Sequence, residues 1–460
     1  MAREPVLRNV DRSPPAWDVR VGLESRGKTN VAGLSRSRSD CRLCHSRSLH
    51  KCIPLHPLPV ASPNVGSKAT VEESAPADVY RCLDCGALQL LTVVDPAFQY
   101  RTFKYTTTVS AGLTEHFAGL IDELCRRGEI RPGALVFDIG SNDGSLLRLA
   151  KARGARVLGI DPAVDTAAAA TAAGIPTIGD FFNEAMGHKI RDEHGPADVV
   201  ISANTVANID DLDDFFAGVH AVMAPEGVFV IETQYALDVL QKTLLDVIYH
   251  EHLSYFAVRP TAAFLEGRGF ELVDAERITP KGGSIRLQIR KRGGWRPVAG
   301  RVEELVALEQ AEGLYGAELF EAFNGRIAKL AADVRARLEG SRERTGRALA
   351  FGSSVGCAAL VHYFGLGPHL DAIFDDHPLV NYMRKPGGSI PVLSGAQLAN
   401  ETATDVAVLA WRYADRIADK QSAFRQAGGR FYTVLSDIHF VAAEVPNLAL
   451  PHSARSLETR

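Results

Sequence analysis

An α/β protein of three folded parts is predicted by three observations. Between residues 134 and 232, short apolar runs alternate with helical periods, the pattern of a parallel, doubly wound, Rossmann-like sheet. A second strand–turn–helix opens at Arg347-Ala-Leu-Ala-Phe-Gly-Ser-Ser-Val-Gly356 and predicts a smaller Rossmann-like domain at the C-terminus. Two C-x2-C pairs, Cys41-Arg-Leu-Cys44 and Cys82-Leu-Asp-Cys85, predict a small zinc-binding domain ahead of both. The resulting division is a disordered tail over 1–36, a zinc-binding domain over 37–100, and a central cofactor-binding domain over 101–298. A helical connection over 299–345 then leads to the C-terminal domain, 346–460.

The chain of 460 residues is too long for one core. Its 46% hydrophobic and 23% charged content is that of a soluble globular protein. No apolar run is long enough to cross a bilayer, and the first residues lack a signal-peptide core, so the expected location is cytoplasmic with no membrane partner. A formal charge of -4 supplies no general attraction to nucleic acid.

Element by element, the tail is rich in Arg, Ser, Pro and Gly without apolar period. Leu113, Phe117, Leu120, Ile121 and Leu124 recur at helical spacing. Strands are predicted at 134–139, 156–160, 176–178, 198–203 and 227–232, the last entered through a Pro225-Glu226-Gly227 turn. Helices are predicted at 145–153 and 164–173. Residues 301–345 are helical by composition, and further strands are predicted at 370–374 and 405–410.

The first strand ends in Asp138-Ile-Gly140-Ser-Asn142-Asp143-Gly144, a tight turn in which glycines let the backbone approach a ligand. The spacing is not the dinucleotide G-x-G-x-x-G, and the acids Asp138 and Asp143 would repel a pyrophosphate. They suit a cation, and S-adenosylmethionine carries both a sulfonium and an ammonium. Asp161, about twenty residues on, is placed for a ribose diol. Asp180 offers a carboxylate for an adenine amino group, with Phe181 or Phe182 against its ring and the other in the core. Asn204, at the end of the fourth strand, is placed for the amino-acid moiety.

Cys41, Cys44, Cys82 and Cys85 complete a tetrahedral S4 set with no open position, so the zinc is expected to be structural. The alternatives are a redox dithiol, or His45 or Cys52 as a ligand, which are less well placed.

Tyr249-His250-Glu251-His252 collects four polar, titratable side chains in one stretch. In an extended segment Tyr249 and Glu251 face one way, His250 and His252 the other. Neighbouring groups of this kind can set one member near neutral pKa, as a general base requires.

With these features in this order, the chain resembles the three-domain sugar C-methyltransferases, which methylate C3 of nucleotide-linked 4-keto deoxysugars in antibiotic pathways. The resemblance runs from Cys41 to about Phe440 and is most specific at 139–144, 246–256 and Gly282-Gly-Ser-Ile-Arg286. It implies a small-molecule partner, a nucleotide-linked sugar, between the central and C-terminal domains, with the assembly a monomer or homodimer. By position it implies that Tyr249, Glu251 and His252 surround the acceptor, with Tyr105, Asn208, Lys281 and Arg286 lining its site. Asn208 and Lys281 stand where the family usually has histidine, and Val355 stands near a usual lysine.

Methylation α to a carbonyl needs a base and a donor to the enolate oxygen. The expected assignment is His252 as base, Glu251 orienting it, Tyr249 donating to the developing oxyanion or sharing the base role, and His250 structural. Methylation on O or N, or of a non-sugar ketone, is a second reading. A zinc-containing binding protein with a catalytically lost methyltransferase fold is a third.

Overall fold

The computed structural model describes residues 33–60, 74–102, 106–109, 112–294, 297–376, 384–385, 388–402, 404–435 and 438–441. The expected tail lies outside them up to residue 32, while Ser35–Ser37 forms a strand paired with Thr92–Val94. No helix among these residues is long and apolar enough to cross a membrane.

The zinc-binding part is an antiparallel sheet of β1 (Leu49–Ile53), β2 (Val79–Cys82) and β3 (Leu88–Leu90). Its fourth strand comes from far along the chain, at residues 254–255. The central sheet contains β4 (Leu135–Ile139), β5 (Arg156–Ile160), β6 (Thr177–Ile178), β7 (Ala197–Ala203) and β8 (Met223–Gln234). These five strands are mutually parallel and close to the predicted ranges. The predicted turn at 225–227 is a bulge inside β8, where the register with β7 shifts.

Two strands beyond the parallel five make the sheet mixed. After β9 (Ser254–Tyr255), β10 (Phe270–Ile278) and β11 (Ser284–Lys291) pair antiparallel, and β11 also pairs antiparallel with β8. The order is β6-β5-β4-β7-β8-β11-β10. Apolar Ile285, Leu287 and Ile289, alternating along β11 and all buried, were the sequence signal for this strand.

On one face, α1 (Leu113–Arg126) and α2 (Ser145–Ala152) bury Phe117, Leu120, Ile121, Leu124, Leu146 and Leu147. On the other, α3 (Glu184–His194) and α4 (Leu212–Val222) cover an aromatic cluster of Phe137, Phe182, Phe215 and Phe229. The chain runs outward from β4 to β6 and returns on the far side of β4 at β7. That reversal opens a crevice at the carboxyl ends of β4 and β7, the usual ligand position in such sheets.

The connection is two helices, α5 (Gly300–Ala311) and α6 (Glu318–Thr345), followed by β12 (Leu349–Phe351) and α7 (Val355–Tyr363). β13 (Ala372–Asp375), β14 (Val392–Ser394), β15 (Asp405–Val408) and β16 (Arg430–Thr433) complete a parallel sheet ordered β14-β13-β12-β15-β16.

Glu309 on α5 is fully buried, yet its carboxylate accepts from Tyr235 and Tyr315 hydroxyls and from the Val258 and Arg259 amides. It thereby satisfies the amino end of the helix Val258–Glu266. Removing it strands two buried and two part-buried donors, so Glu309→Leu is expected to cost about 3 kcal/mol of unfolding free energy, read by urea denaturation.

Candidate active site

The crevice is built by the turn after β4. Gly140 has φ 81°, and a Cβ there would stand 2.1 Å from Thr205 Oγ1, so only glycine lets the two loops meet. Asp161 holds the turn: its carboxylate accepts from the Asn142 amide at 2.9 Å and the Ala163 amide at 2.9 Å. Asn142, itself at φ 49°, accepts from the Thr107 amide at 2.9 Å. Asp143 accepts from the Ser145 hydroxyl at 2.6 Å and the Thr108 amide at 3.2 Å. The Thr-rich link thus closes over the turn. Tyr105, expected beside the acceptor, lies outside the described residues.

Asp138 is buried, and burial together with the nearby Asp161 pushes its carboxyl up to about 8. Asp161 is also raised, by its own burial. Two buried acids, close enough for Asp161 to raise Asp138, favour a cation beside them. Asn204 follows β7 at φ 61°, its amide donating to Glu232 O at 2.7 Å. Asp180 pairs with Arg101 at 2.8 Å, and that guanidinium lies 4.7 Å from the Phe181 ring centre. Phe182 belongs to the core. Arg101 has no motif around it and was not foreseen.

The titratable stretch differs from the expected extended segment. Residues 249–252 form a turn, closed by the His252 amide donating to Tyr249 O at 2.9 Å. Tyr249 and His252 therefore stack, ring centres 4.3 Å apart, instead of facing opposite ways. His252 Nδ1 donates to Val247 O at 2.7 Å, and its Nε2 stands 3.3 Å from the Gln234 side-chain nitrogen. With Nδ1 carrying the proton, Nε2 is the acceptor, and burial lowers this imidazole to about 3. The expected orientation of His252 by Glu251 is not made.

Glu251 makes no side-chain hydrogen bond or ion pair to any described residue. Burial pushes its carboxyl up to about 7, with Lys281 pulling in the opposite direction. Lys281, at φ 55°, is lowered to about 8 by burial and by Arg412, with Glu251 opposing. Burial and the carboxylate of Glu251 hold Tyr249 well above the usual phenol range, so it is a donor. Tyr100 reaches Glu251 O at 3.3 Å. Asn208, whose Oδ1 is buried without a hydrogen-bond partner among the described residues, stands beside Tyr100. His250 bonds through Nε2 to Ala75 O at 3.1 Å, a structural contact.

Arg286 is occupied differently from the expected acceptor contact. It is buried and paired with Glu232 at 2.7 Å, Glu123 at 2.9 Å and Glu276 at 3.4 Å. His116 completes this group at 2.7 Å from Glu232.

The four cysteines converge, with Sγ–Sγ distances of 3.6 Å for Cys41–Cys85 and 3.5 Å for Cys44–Cys82, and all four within 4.8 Å of one another. That donor set fits one tetrahedral zinc ion and leaves no ligand position open. Cys52 instead donates to Val79 O, and His45 faces Asp40 and Asp213.

Three family profiles match in sequence: "Putative zinc binding domain" at 41–100, "Methyltransferase domain" at 113–275 and "C-methyltransferase C-terminal domain" at 279–435. The C-methyltransferase NovU of Streptomyces niveus is 29% identical, covering 89% of this chain and 99% of its own length. Among solved structures, the magnesium protoporphyrin IX methyltransferase of Synechocystis PCC 6803 with bound S-adenosylhomocysteine is 18% identical. It covers 41% of this chain and 89% of its own, with a TM-score of 0.32. The 1,6-didemethyltoxoflavin-N1-methyltransferase of Burkholderia thailandensis is 19% identical over 40% of this chain and 80% of its own, with a TM-score of 0.30.

The purified protein should carry about one zinc per chain by metal analysis, and Cys82→Ser should lose the ion together with folded stability.

Proposed function

We propose that this chain, a member of the three-domain C-methyltransferase family, methylates the carbon α to a ketone with S-adenosylmethionine as donor. The acceptor we infer is C3 of a nucleotide-linked 4-keto deoxysugar. The observation that carries the reading is the turn that stacks Tyr249 on His252 and holds Glu251, whose carboxyl interacts electrostatically with Lys281, the two groups moved toward neutrality from opposite sides.

S-adenosylmethionine supplies an electrophilic methyl on a sulfonium. Asp138, Asn142, Asp143, Asp161 and Asn204 would hold its amino-acid and ribose parts, with Asp180 and Phe181 at the adenine. The Glu251 carboxylate takes the α-proton, and the C–H electron pair moves onto the carbonyl oxygen as an enolate. Protonated Lys281 and the Tyr249 hydroxyl stabilise that oxygen, while His252, neutral and stacked on Tyr249, positions the phenol. The enolate carbon then bonds to the methyl as the S–CH3 pair returns to sulfur. Zinc takes no part in these steps.

This differs from a His252 base, and pH separates the two. The required carboxylate forms as pH rises through about 7, and the required ammonium is lost above about 8, so kcat/KM should be bell-shaped between them. Glu251→Gln should lower kcat by about a hundredfold or more. His252→Gln should cost less and leave the ascending limb in place. If His252→Gln abolishes that limb while Glu251→Gln keeps it, the base assignment is wrong. A panel of nucleotide-linked 4-keto sugars, with mass detection of one added methyl, tests the acceptor class.

Asp138 gives a separate test by calorimetry. S-adenosylmethionine carries a sulfonium, and a cation favours the ionised form of Asp138, so its binding should release a proton below about pH 8 and tighten as pH rises toward it. Asp138→Asn should remove that pH dependence.

A further inference from the structure

We propose that Arg42 is a positioning residue through which the zinc knuckle sets the geometry of the acid–base turn. It lies between two ligands, Cys41 and Cys44, yet its side chain is only 1% exposed and points away from the metal set into the protein. Its Nε donates to Asp210 at 2.9 Å. Its Nη1 contacts Gln89 Oε1 at 3.2 Å, Leu90 O, and Leu253 O at 3.3 Å.

These partners belong to three separate segments. Gln89 and Leu90 are on β3 of the zinc sheet. Asp210 ends the loop that carries Asn208, and Leu253 directly follows His252. The segments are also bonded to one another: the Leu253 amide donates to Ala207 O at 2.7 Å, and Leu253 O accepts from the Leu90 amide at 2.9 Å. One planar guanidinium therefore bridges both loops that hold polar groups of the site, and only an arginine fork reaches the two at once. Arg42 is a buried charge, and Asp210 is the carboxylate that pairs with it. A residue serving only to close the knuckle would not need a buried charge. Arg36 and Arg38 also pair with Asp210, but among the described residues neither has a hydrogen bond to Leu253 O, which makes them internal controls.

The catalytic side of this inference rests on the acid–base reading above; its structural side does not. Hydrogen exchange and zinc content would be measured on the full-length Arg42→Gln, Arg42→Lys and Arg36→Gln proteins. Arg42→Gln and Arg42→Lys should retain about one zinc per chain, while amides of 206–210 and 249–255 exchange at least about tenfold faster and those of 138–145 are unchanged. Arg36→Gln should match the parent. With an accepted substrate, Arg42→Lys should lower kcat by about tenfold and displace the ascending limb of the pH profile, with S-adenosylhomocysteine affinity unchanged. Parental exchange in both loops of a zinc-replete Arg42→Lys protein overturns the proposal, whatever the substrate. Exchange raised uniformly over the chain overturns it as well, because that marks a general loss of stability. Absence of methyl transfer by the parent protein counts against the functional reading alone.

Discussion

The short run from Asp246 to Leu253 contains only the end of one 3-10 turn, Leu245–Val247, and the turn at 249–252, and each of the three domains grips a different part of it. The C-terminal domain takes Asp246, whose carboxylate accepts from Arg412 at 3.1 Å and Trp411 at 3.2 Å, and Tyr363 bonds to Ile248 O at 2.8 Å. The zinc domain takes His250 through Ala75 O and continues into β9, which pairs with β3. The central domain takes His252 through Gln234 and Leu253 through Ala207 O. A buried charge pair such as Asp246–Arg412 adds little net stability, because desolvation offsets most of the attraction. Its consequence is specificity of position, since only one docking satisfies both partners.

That three-sided enclosure explains the electrostatics. Burial moves the Glu251 carboxyl up to about 7, and no hydrogen bond to a described residue compensates its charge. Lys281 moves the other way for the same reason, held at a positive φ beside Gly282. The donor crevice has the opposite character, with Asp138 and Asp161 both buried and both raised by that burial. A cation therefore fits one compartment and a developing oxyanion the other. The enclosure also makes the domains interdependent, since opening either face would rehydrate Glu251 and return it toward the ordinary carboxylate range.

What was legible in the sequence was what local chemistry dictates. The C-x2-C pairs, the Asp138–Gly144 turn and the parallel strands follow from spacing and periodicity, and each stands close to where it was expected. The antiparallel pair β10 and β11 was missed, although the alternation at Ile285, Leu287 and Ile289 signals a strand, because the parallel pattern before it suggested nothing further. Arg101 and Arg42 carry no local signature: each acquires its role from partners tens or hundreds of residues away. Arg286 illustrates the converse, a charged residue in a distinctive motif whose guanidinium is consumed by three carboxylates.

The histidines were the hardest to read, for a reason that generalises. Extended backbone assigns faces by alternation, and the turn at 249–252 cancels that rule by stacking Tyr249 on His252. A buried imidazole between a carbonyl and an amide nitrogen is held neutral with both ring atoms in use, so proximity to a glutamate in sequence does not make it a base. The two positions where the resembling family usually has histidine, Asn208 and Lys281, then form a coherent change. Asn208 cannot titrate near neutrality, and Lys281 replaces a weakly basic ring with an amine that remains charged to about pH 8. The Lys281 ammonium, charged below about pH 8, draws the Glu251 carboxyl back down, which preserves an ionised fraction at neutral pH. The same cation is the kind of group an enolate oxygen needs, so under the proposed mechanism acid–base work rests on a carboxyl–amine pair.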